Sequence, residues 1–480
     1  MRRIPPPLLL LLAVAATMSL AWNVSTAPLQ GPDEAEHVAY VEHLAETGSK
    51  PSPTSGNRPF GTDEAEALSQ FRLFPMQQNP AAKPDWSETA LSNFKRFETQ
   101  LDATARGAGV GINATGSNPP LYYAVETIGW KLTPGRGFLD RLFVMRLISG
   151  LLLLATVTFA WLLAGEVFRR QLPQMVATAF VALTPMAGFM GGIVNPDIAL
   201  AAAWTAFLWL SLRMVRLGLS PSRAALTTLA AVAGVLIHGR SLAIVPALIV
   251  ALAVAWAVGR PPLRRLITSA ASAGAVAIAG AVIYRLTTAA AAGAGDGGQL
   301  SVGGAAFNFR QLLSSVWEFY LPRLSMMQPR LGPEYGFHQV FIEQFFGGTF
   351  GLNEVILPLG VYDVVQIIVA LVLIAFYTIM IRNWRIVLSR WPTVVIVGFT
   401  SLALLALLHV ASYRALLGGD NPLITGRYLL PLVAVFGLVV ASIIAGLPRK
   451  AAAVTAGLFL GSSFILALSA LAMSLERFYA

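Results

Sequence analysis

The stretch YLLPLVAVFGLVVASIIAGL, residues 428–447, decides the fold class of this chain. It carries no charged side chain, and a helix needs roughly 20 consecutive apolar residues to cross the hydrocarbon core of a bilayer. Over the whole chain 56% of residues are hydrophobic and 12% are charged, whereas soluble domains carry about 25% charged residues. The sequence therefore predicts an all-α, polytopic membrane protein.

Comparable apolar runs recur along the chain, and with residues 428–447 they predict about eleven transmembrane helices. The predicted spans are Pro7–Trp22, Phe143–Val167, Met175–Gly191, Pro196–Leu212, Ala224–Ile237, Leu242–Val258, Leu266–Tyr284, Val355–Ile381, Pro392–Val410, Tyr428–Leu447 and Ala451–Met473. The first span also has the basic start and short apolar core of a cleaved signal peptide, an alternative that leaves the rest of the topology unchanged.

Arginine placement predicts the orientation of these spans. With the N-terminus inside, every short cytoplasmic connection carries arginine or lysine, as the positive-inside rule requires. Splitting the chain at His238-Gly239-Arg240 into two helices preserves this pattern, and one fused helix would reverse it in the later loops. The high ratio of arginine to lysine is typical of a GC-rich bacterial genome. We therefore expect a multi-pass protein of the bacterial inner (plasma) membrane.

Composition excludes several classes of function. The net charge is +10, but the excess lies at helix ends on one side, and no basic patch is interleaved with aromatics, so nucleic acid is not an expected partner. Cysteine is absent, which excludes disulfides, thiolate metal sites and cysteine nucleophiles. No cofactor is certain: the sequence has no clear cluster of metal ligands, and a divalent metal stays an open option. No internal repeat suggests an inverted-repeat transporter.

The chain is predicted to be a single integral membrane domain, residues 1–480, with two large extracytoplasmic loops that carry amphipathic helices. The first loop, residues 23–140, holds most of the acidic residues and is expected to be catalytic. The second loop, residues 285–354, opens with the Gly- and Ala-rich stretch Ala289–Gly304. Such a composition buries little apolar surface, so this stretch is predicted to be a flexible lid.

The sharpest motif is Gly31-Pro32-Asp33-Glu34-Ala35-Glu36-His37, directly after the first span. Proline followed by acids predicts a helix start, and the spacing of three and four residues places Asp33, Glu34 and His37 on one face. A carboxylate at a helix N-terminus is kept ionised by the helix dipole and nearby amides. That is what a general base acting on a hydroxyl requires, although acids in a first turn are equally typical of simple capping.

A second motif, Asn118-Pro119-Pro120-Leu121-Tyr122-Tyr123, lies near the end of the first loop. The prolines fix an extended start, and the residues that follow predict an amphipathic helix on the membrane surface. Tyr122 and Tyr123 are interpreted either as interfacial anchors or as a platform for a sugar ring or an isoprenoid chain.

A third group of candidates lies at the outer ends of later spans. Asn195 and Pro196 are typical of a helix cap, but Asp197 is expected to face the outer cavity. Arg240 and Arg427, in short outer loops, run against the charge bias of the chain, and planar guanidinium groups match phosphate oxygens. Lipid headgroup contacts or ion pairs with loop acids would also account for them.

These motifs in this order resemble the GT-C class of membrane glycosyltransferases, which take sugars from polyprenyl-phosphate donors. More narrowly, Pro32-Asp33-Glu34 with His37, Asn195-Pro196-Asp197 and Gly426-Arg427-Tyr428 resemble a bacterial family of predicted membrane proteins of unknown function. The resemblance implies a GT-C-like fold with an extracytoplasmic active site and a catalytic base at Asp33 or Glu34. The substrate-binding residues implied with it are His37, Asn118, Tyr122, Tyr123, Asn195, Asp197, Arg240, Arg427 and Tyr428.

The implied reaction is an inverting displacement. Asp33 takes the proton of an acceptor hydroxyl, on a glycan, a lipid or a protein, and the departing polyprenyl phosphate is stabilised by Arg427 and Arg240. Membrane lipids are the other expected partners. Two alternatives stay open. A polysaccharide polymerase or ligase would use the same arginines without the Asp33 base. A flippase of a lipid-linked glycan would also use the outer arginines, whereas an ion-coupled transporter needs ionisable groups near the bilayer midplane, where they are scarce.

Overall fold

The computed structural model describes residues 4–53, 59–79, 81–101, 113–292, 307–332, 334–419 and 421–480. Nearly all of this part of the chain is helical, and a single pair of two-residue strands, β1 and β2, forms the one sheet found there. The predicted all-α, polytopic class is therefore confirmed.

The long apolar helices form the bundle. Consecutive helices are joined by short connections, which favours antiparallel neighbours. They are α1 (Pro6–Ser25), α7 (Phe138–Val167), α8 (Gln171–Leu183), α9 (Pro185–Gly191), α10 (Asp197–Leu217), α11 (Pro221–Ile237), α12 (Ile244–Gly259), α13 (Leu263–Ala292), α15 (Leu359–Arg382), α17 (Trp391–Leu417), α18 (Val433–Gly446) and α19 (Arg449–Tyr479). We call the end of the bundle that carries residues 26–137 and 307–358 the loop end.

Shorter elements cover the loop end or join the long helices. The helices are α2 (Glu34–Thr47), α3 (Thr62–Gln70), α4 (Leu73–Gln78), α5 (Glu88–Gln100), α6 (Leu121–Lys131), α14 (Phe309–Tyr320) and α16 (Trp384–Ser389). Three 3-10 turns (Ala114–Ser117, Gly239–Ala243, Gly426–Leu432) and a π-helix (His338–Gly348) lie between them, with strands β1 (Thr349–Phe350) and β2 (Val355–Ile356).

The number of spans falls between nine and eleven, depending on how short helices are treated. In the described part of the chain, nine helical stretches are long and apolar enough to cross a membrane. Helices α8 and α9 form a tenth together, although they are bent by 57° at Thr184. Helix α11 is apolar but only 17 residues long, or roughly 25 Å at the rise of an α-helix. It is separated from α12 by the turn at Gly239, as the arginine pattern predicts.

Several predicted boundaries differ from the structure by a few residues, and two of these differences lie at the loop end. The span predicted to begin at Val355 begins at Leu359 instead, because Val355 and Ile356 pair with β1 and Pro358 precedes the helix. The start of the predicted lid, Ala289–Gly304, continues α13 as far as Ala292. The remainder of that stretch lies outside the described residues.

Buried and lipid-facing helices differ in their exposure. Helix α10 is buried along most of its length and packs along α7, where its alanines allow the two backbones to approach closely. Helix α15 is apolar but almost entirely exposed, which is the pattern of a span whose surroundings are lipid. The buried helices α1, α7, α9 and α10 hold the loop-end residues described next.

Candidate active site

A cavity of about 510 Å³ opens at the loop end of the bundle. Its walls come from seven separate parts of the chain, most of them at the end of a helix or in the turn beside it. Eight of the residues predicted from the sequence line this cavity: Asp33, His37, Asn118, Asn195, Asp197, Arg240, Arg427 and Tyr428.

Asp33 is the exposed acid of the cavity. It immediately precedes α2 and has the left-handed backbone conformation, with φ of 55°, which Asp and Asn tolerate better than most residues. Its carboxylate is 54% exposed and receives a hydrogen bond from Arg427, with 2.7 Å between Nη2 and Oδ2. It does not cap the helix amides, so the helix-end capping predicted for Asp33 is wrong.

The charge of Asp33 is controlled by its neighbours. Burial acts to raise the pKa of this carboxyl group, but the guanidinium of Arg427, with a smaller contribution from Arg240, leaves the pKa below its ordinary value. Asp33 is therefore a carboxylate at neutral pH, held so by an ion pair rather than by the amides of α2.

Asp197 and Arg240 form a second, buried ion pair behind the first. Asp197 is 1% exposed and Arg240 is 9% exposed, and Nη2 of Arg240 donates to Oδ1 of Asp197. The guanidinium of Arg240 lies 3.7 Å above the ring centre of Tyr428, and Nε of Arg427 is 3.9 Å from Oδ2 of Asp197. Two acids and two arginines thus form one chain of alternating charge, with Asp33 at its open end.

This network leaves hydrogen-bonding capacity unused. Nη1 of Arg240 and Oδ2 of Asp197 are both buried and have no hydrogen-bond partner among the residues that the structure describes. Buried polar groups are rarely left in this state in proteins. An unpaired guanidinium N–H that lines a cavity is a donor available to an anionic ligand.

His37 and Asn118 are held by a side chain outside the cavity wall. The Tyr123 hydroxyl lies 3.0 Å from Nδ1 of His37 and accepts from the side-chain amide of Asn118 at 2.9 Å. Burial lowers the pKa of His37 to about 4, so this ring is neutral at pH 7. Tyr123 is fully buried and stacks on Tyr40, with ring centres 3.6 Å apart. The structure thus places Tyr123 behind the cavity.

Asn195 fixes the approach of α10 to α2. Its side-chain oxygen accepts from the amide of Asp197 at 3.0 Å, and its amide donates to the carbonyl of Pro32 at 2.9 Å. The helix begins at Asp197 with Pro196 at its cap position, one residue later than the predicted cap at Asn195. The Asn195 side chain instead links the first residue of α10 to the turn before Asp33.

Glu34, the other predicted acid, lies away from the cavity. It is fully buried, and its carboxylate forms a two-point ion pair with Arg146 of α7, with distances of 2.8 and 2.7 Å. It also accepts from the amides of Gly31 and Val194. Each oxygen of Glu34 is thus engaged in joining α2 to the bundle.

Tyr122 also lies outside the cavity wall. It is buried against α7, and its hydroxyl is 3.0 Å from that of Ser149, which in turn donates to Glu126 at 2.8 Å. Helix α6 begins at Leu121 as predicted, but both tyrosines face the protein interior and not the membrane surface.

Sequence reasoning missed two residues of the site. Arg146 anchors the start of α2 through Glu34, and none of the sequence motifs contains it. His238 lines the cavity and accepts from the amide of Arg240. Arg414, which the sequence also predicts to lie in an outer loop, lies in the last turn of α17 and does not line the cavity wall.

The described residues do not supply a metal site. Within them, no group of three or more His, Asp or Glu side chains is arranged to hold a metal ion. Asp33 and Asp197 are each engaged by arginine instead.

Comparison with known proteins gives a family and a distant structural likeness. A family model described as "Predicted membrane protein (DUF2142)" matches residues 17–436. None of the curated proteins matches the sequence.

The structural likeness is to the oligosaccharyltransferase of Archaeoglobus fulgidus. In its apo form this protein is 14% identical, with a TM-score of 0.46 over 98% of the present chain and 56% of its own. The form with Zn and sulfate is 13% identical, with a TM-score of 0.47 over 97% and 53%. The complex of AglB from the same organism with an inhibitory peptide and a dolichol-phosphate is 13% identical, with a TM-score of 0.46 over 98% and 56%. The chain thus spans about half the length of these structures.

Proposed function

We propose that this chain, which belongs to the predicted membrane protein family DUF2142, is a membrane glycosyltransferase. It transfers a sugar from a polyprenyl-phosphate donor to a hydroxyl of a glycan, lipid or protein acceptor. Asp33 is the base, and Arg240 and Arg427 bind the donor phosphate. The observation that carries this proposal is the pairing, in one cavity, of an exposed carboxylate with two arginines, one of which keeps an unused buried donor.

The reaction is an inverting displacement in which atoms and charge balance. Asp33 removes the proton of the acceptor hydroxyl, and the resulting oxygen attacks the anomeric carbon of the donor sugar. The bond from that carbon to the phosphate oxygen breaks, and polyprenyl phosphate leaves with the electron pair. A positioned base of this kind contributes about 10²- to 10⁴-fold to the rate.

Both arginines favour the departing phosphate. It gains charge as the bond breaks, so donors already aimed at its oxygens stabilise the transition state more than the ground state. Nη1 of Arg240 is the first such donor, because no protein group uses it. The ring of Tyr428 lies against the guanidinium and fixes its plane.

Arg427 connects donor binding to the base. In the structure it is committed to Asp33, and a phosphate that binds Arg427 competes with this ion pair. Donor binding thereby releases the Asp33 carboxylate and makes it a stronger base for the acceptor that follows. The proposed order is donor first, acceptor second.

The two kinds of cavity wall match the two parts of the donor. One side is charged, as described above. The other part is formed by apolar residues of the 3-10 turn before α12, of α17 and of the segment before Arg427, namely Leu242, Leu407, Leu408, Ala411 and Leu423. A polyprenyl phosphate has the same division between an apolar tail and an anionic head.

We place the cavity on the extracytoplasmic side of a bacterial inner membrane. The support is the distribution of arginine: connections at the opposite end of the bundle carry Arg169, Arg216, Arg264, Arg385 and Arg449. Positive charge in short connections marks the cytoplasmic side.

The test is donor binding followed by transfer. Purified protein is incubated with a panel of radiolabelled polyprenyl-phosphate sugars, and bound and transferred label are measured separately. Arg240→Gln should weaken donor binding about tenfold or more, since it removes a charged hydrogen bond. Arg310→Gln, an exposed arginine on α14, is the control. Equal donor binding by Arg240→Gln and wild type, or no binding of any donor, would contradict the proposal.

A further inference from the structure

A second cavity, of about 460 Å³, lies at the loop end beside the first. Its walls are the end of α14, the segment from Leu321 to Gln339, and one face of α17 from His409 to Leu416. The opposite face of α17, including Leu408 and Ala411, lines the first cavity. One helix therefore separates two cavities of similar size.

The second cavity is lined by aromatic rings. Tyr320 is 38% exposed, and its hydroxyl lies 3.0 Å from Nε2 of His409. Phe319 packs against His409, with ring centres 4.9 Å apart, and Phe337 lies 6.2 Å from Tyr320. Rings on several sides of one opening offer flat apolar surfaces to a ligand.

The charged groups of this cavity form ion pairs, and within the described residues Oε1 of Glu318 is a buried acceptor without a hydrogen-bond partner. Glu318 is 8% exposed and is flanked by Arg323 at 3.1 Å and Arg330 at 3.3 Å. Arg330 is also 3.6 Å from Glu334. In the first cavity Arg240 keeps an unused buried donor. The second cavity offers less uncompensated positive charge to a phosphate.

We propose that the second cavity binds a neutral saccharide, the part of the acceptor that does not react. The description of this saccharide as an acceptor rests on the proposed function, but its binding does not. A sugar ring has apolar C–H faces that fit against aromatic rings and hydroxyls at its rim that fit a carboxylate–guanidinium pair. An isoprenoid chain would cover the Glu318–Arg330 ion pair without offering it a hydrogen bond, at a cost in desolvation.

Gln344 joins the two cavities. Its side-chain oxygen accepts from the hydroxyl of Tyr335, in the wall of the second cavity, at 3.1 Å, and from the amide of Gly426 at 2.8 Å. A Cβ at position 426 would lie 2.5 Å from the Cβ of Gln344, so only glycine allows this approach. Because Arg427 follows directly, a ligand held against Tyr335 lies one side chain away from the proposed phosphate site.

The test uses binding and not transfer. Full-length protein in lipid nanodiscs is applied to an array of defined neutral oligosaccharides, and the affinity for each retained oligosaccharide is then measured in solution. Tyr320→Ala and Phe337→Ala should each weaken binding about tenfold, as expected for loss of a stacked ring. Phe74→Ala, a similarly exposed ring on α4, should leave the affinity unchanged.

Two results would overturn the proposal. One is an array on which no oligosaccharide is retained, or retention that neither wall variant weakens. The other is crosslinking of a photoactivatable polyprenyl phosphate to Tyr320 or Phe337, which would identify a lipid site. The protein could also bind a saccharide through these rings and yet transfer no sugar. That result would refute the glycosyltransferase function but would support the saccharide site.

Discussion

The carboxylate of Asp33 and the guanidinium of Arg427 lie 2.7 Å apart, although 394 positions separate them in the chain. This contact brings the first loop and the last outer turn to the same cavity. It also has a chemical consequence, because the partner that keeps Asp33 ionised is the group proposed to bind the donor phosphate.

Removal of Arg427 should therefore change the pH dependence of sugar transfer. Arg427 holds the pKa of Asp33 below its ordinary value against the effect of burial, so in Arg427→Gln that pKa should rise. Protonated Asp33 cannot act as a base. The acid limb of kcat/KM should therefore begin at a higher pH in Arg427→Gln than in the wild type. An acid limb at the same pH in both proteins would show that Asp33 does not limit the rate in acid.

Glu34 and Asp33 are neighbours in sequence, but substitution of Glu34 should reduce stability, whereas substitution of Asp33 should reduce turnover. Glu34→Gln leaves the buried Arg146 without its charged partner, which typically costs about 3–5 kcal/mol of folding free energy. Thermal unfolding in detergent should show this loss, whereas Glu88→Gln, at an exposed position of α5, should change stability by less than about 0.5 kcal/mol. A Glu34→Gln protein of normal stability but no activity would return Glu34 to consideration as the base.

Stability should fall as the pH rises, because of two buried acids in the first loop. Burial, together with repulsion from neighbouring carboxylates, holds the pKa values of Glu42 and Glu64 well above the ordinary range. The folded state thus binds more protons than the unfolded state, so stability is full below the unfolded pKa of about 4.3 and is lost as the pH rises towards the folded pKa.

The measurement is the unfolding temperature between pH 5 and pH 8 on Glu42→Gln and Glu64→Gln. Each variant should lose part of the slope seen in the wild type, and Glu88→Gln should keep it. Identical slopes in all four proteins would mean that the two acids are not protonated in the folded state.

The absence of native cysteine makes the topology directly testable. Single cysteines at Ser92, exposed on α5, and at Ser389, exposed between α15 and α17, should lie on opposite sides of the membrane. In spheroplasts an impermeant maleimide should label Ser92→Cys, and Ser389→Cys should react only after the membrane is permeabilised. Labelling of Ser389→Cys from outside would invert the proposed side of the active site.

The fold class was predictable because apolar runs and arginine placement are local signals. The separate motifs were predictable for the same reason, since Asp33, Asn195 and Arg427 each stand beside a helix end. Which acid of the pair at positions 33 and 34 faces the cavity was not predictable. Spacing puts both on one helix face, and only Arg146, 112 residues away from Glu34, determines which of the two is buried.

The positions of Tyr122 and Tyr123 were also not predictable from the sequence. An amphipathic pattern predicts a helix and its apolar face, but not whether that face meets lipid or protein. Here the face packs on α2 and α7, and the hydroxyl of Tyr123 supports His37 and Asn118 from behind. The second cavity gave no signal in the sequence, because its rings come from α14, α17 and the segment between Leu321 and Gln339.

The most direct test of the catalytic claim is sugar transfer by Asp33→Asn at saturating donor. Asparagine keeps the size of the side chain and tolerates the left-handed backbone at this position, so the variant should fold and bind donor. We predict a turnover about 10²- to 10⁴-fold below the wild type, with Asp140→Asn, an exposed acid at the start of α7, unchanged. Normal turnover by Asp33→Asn, in a protein that binds donor as the wild type does, would contradict the account.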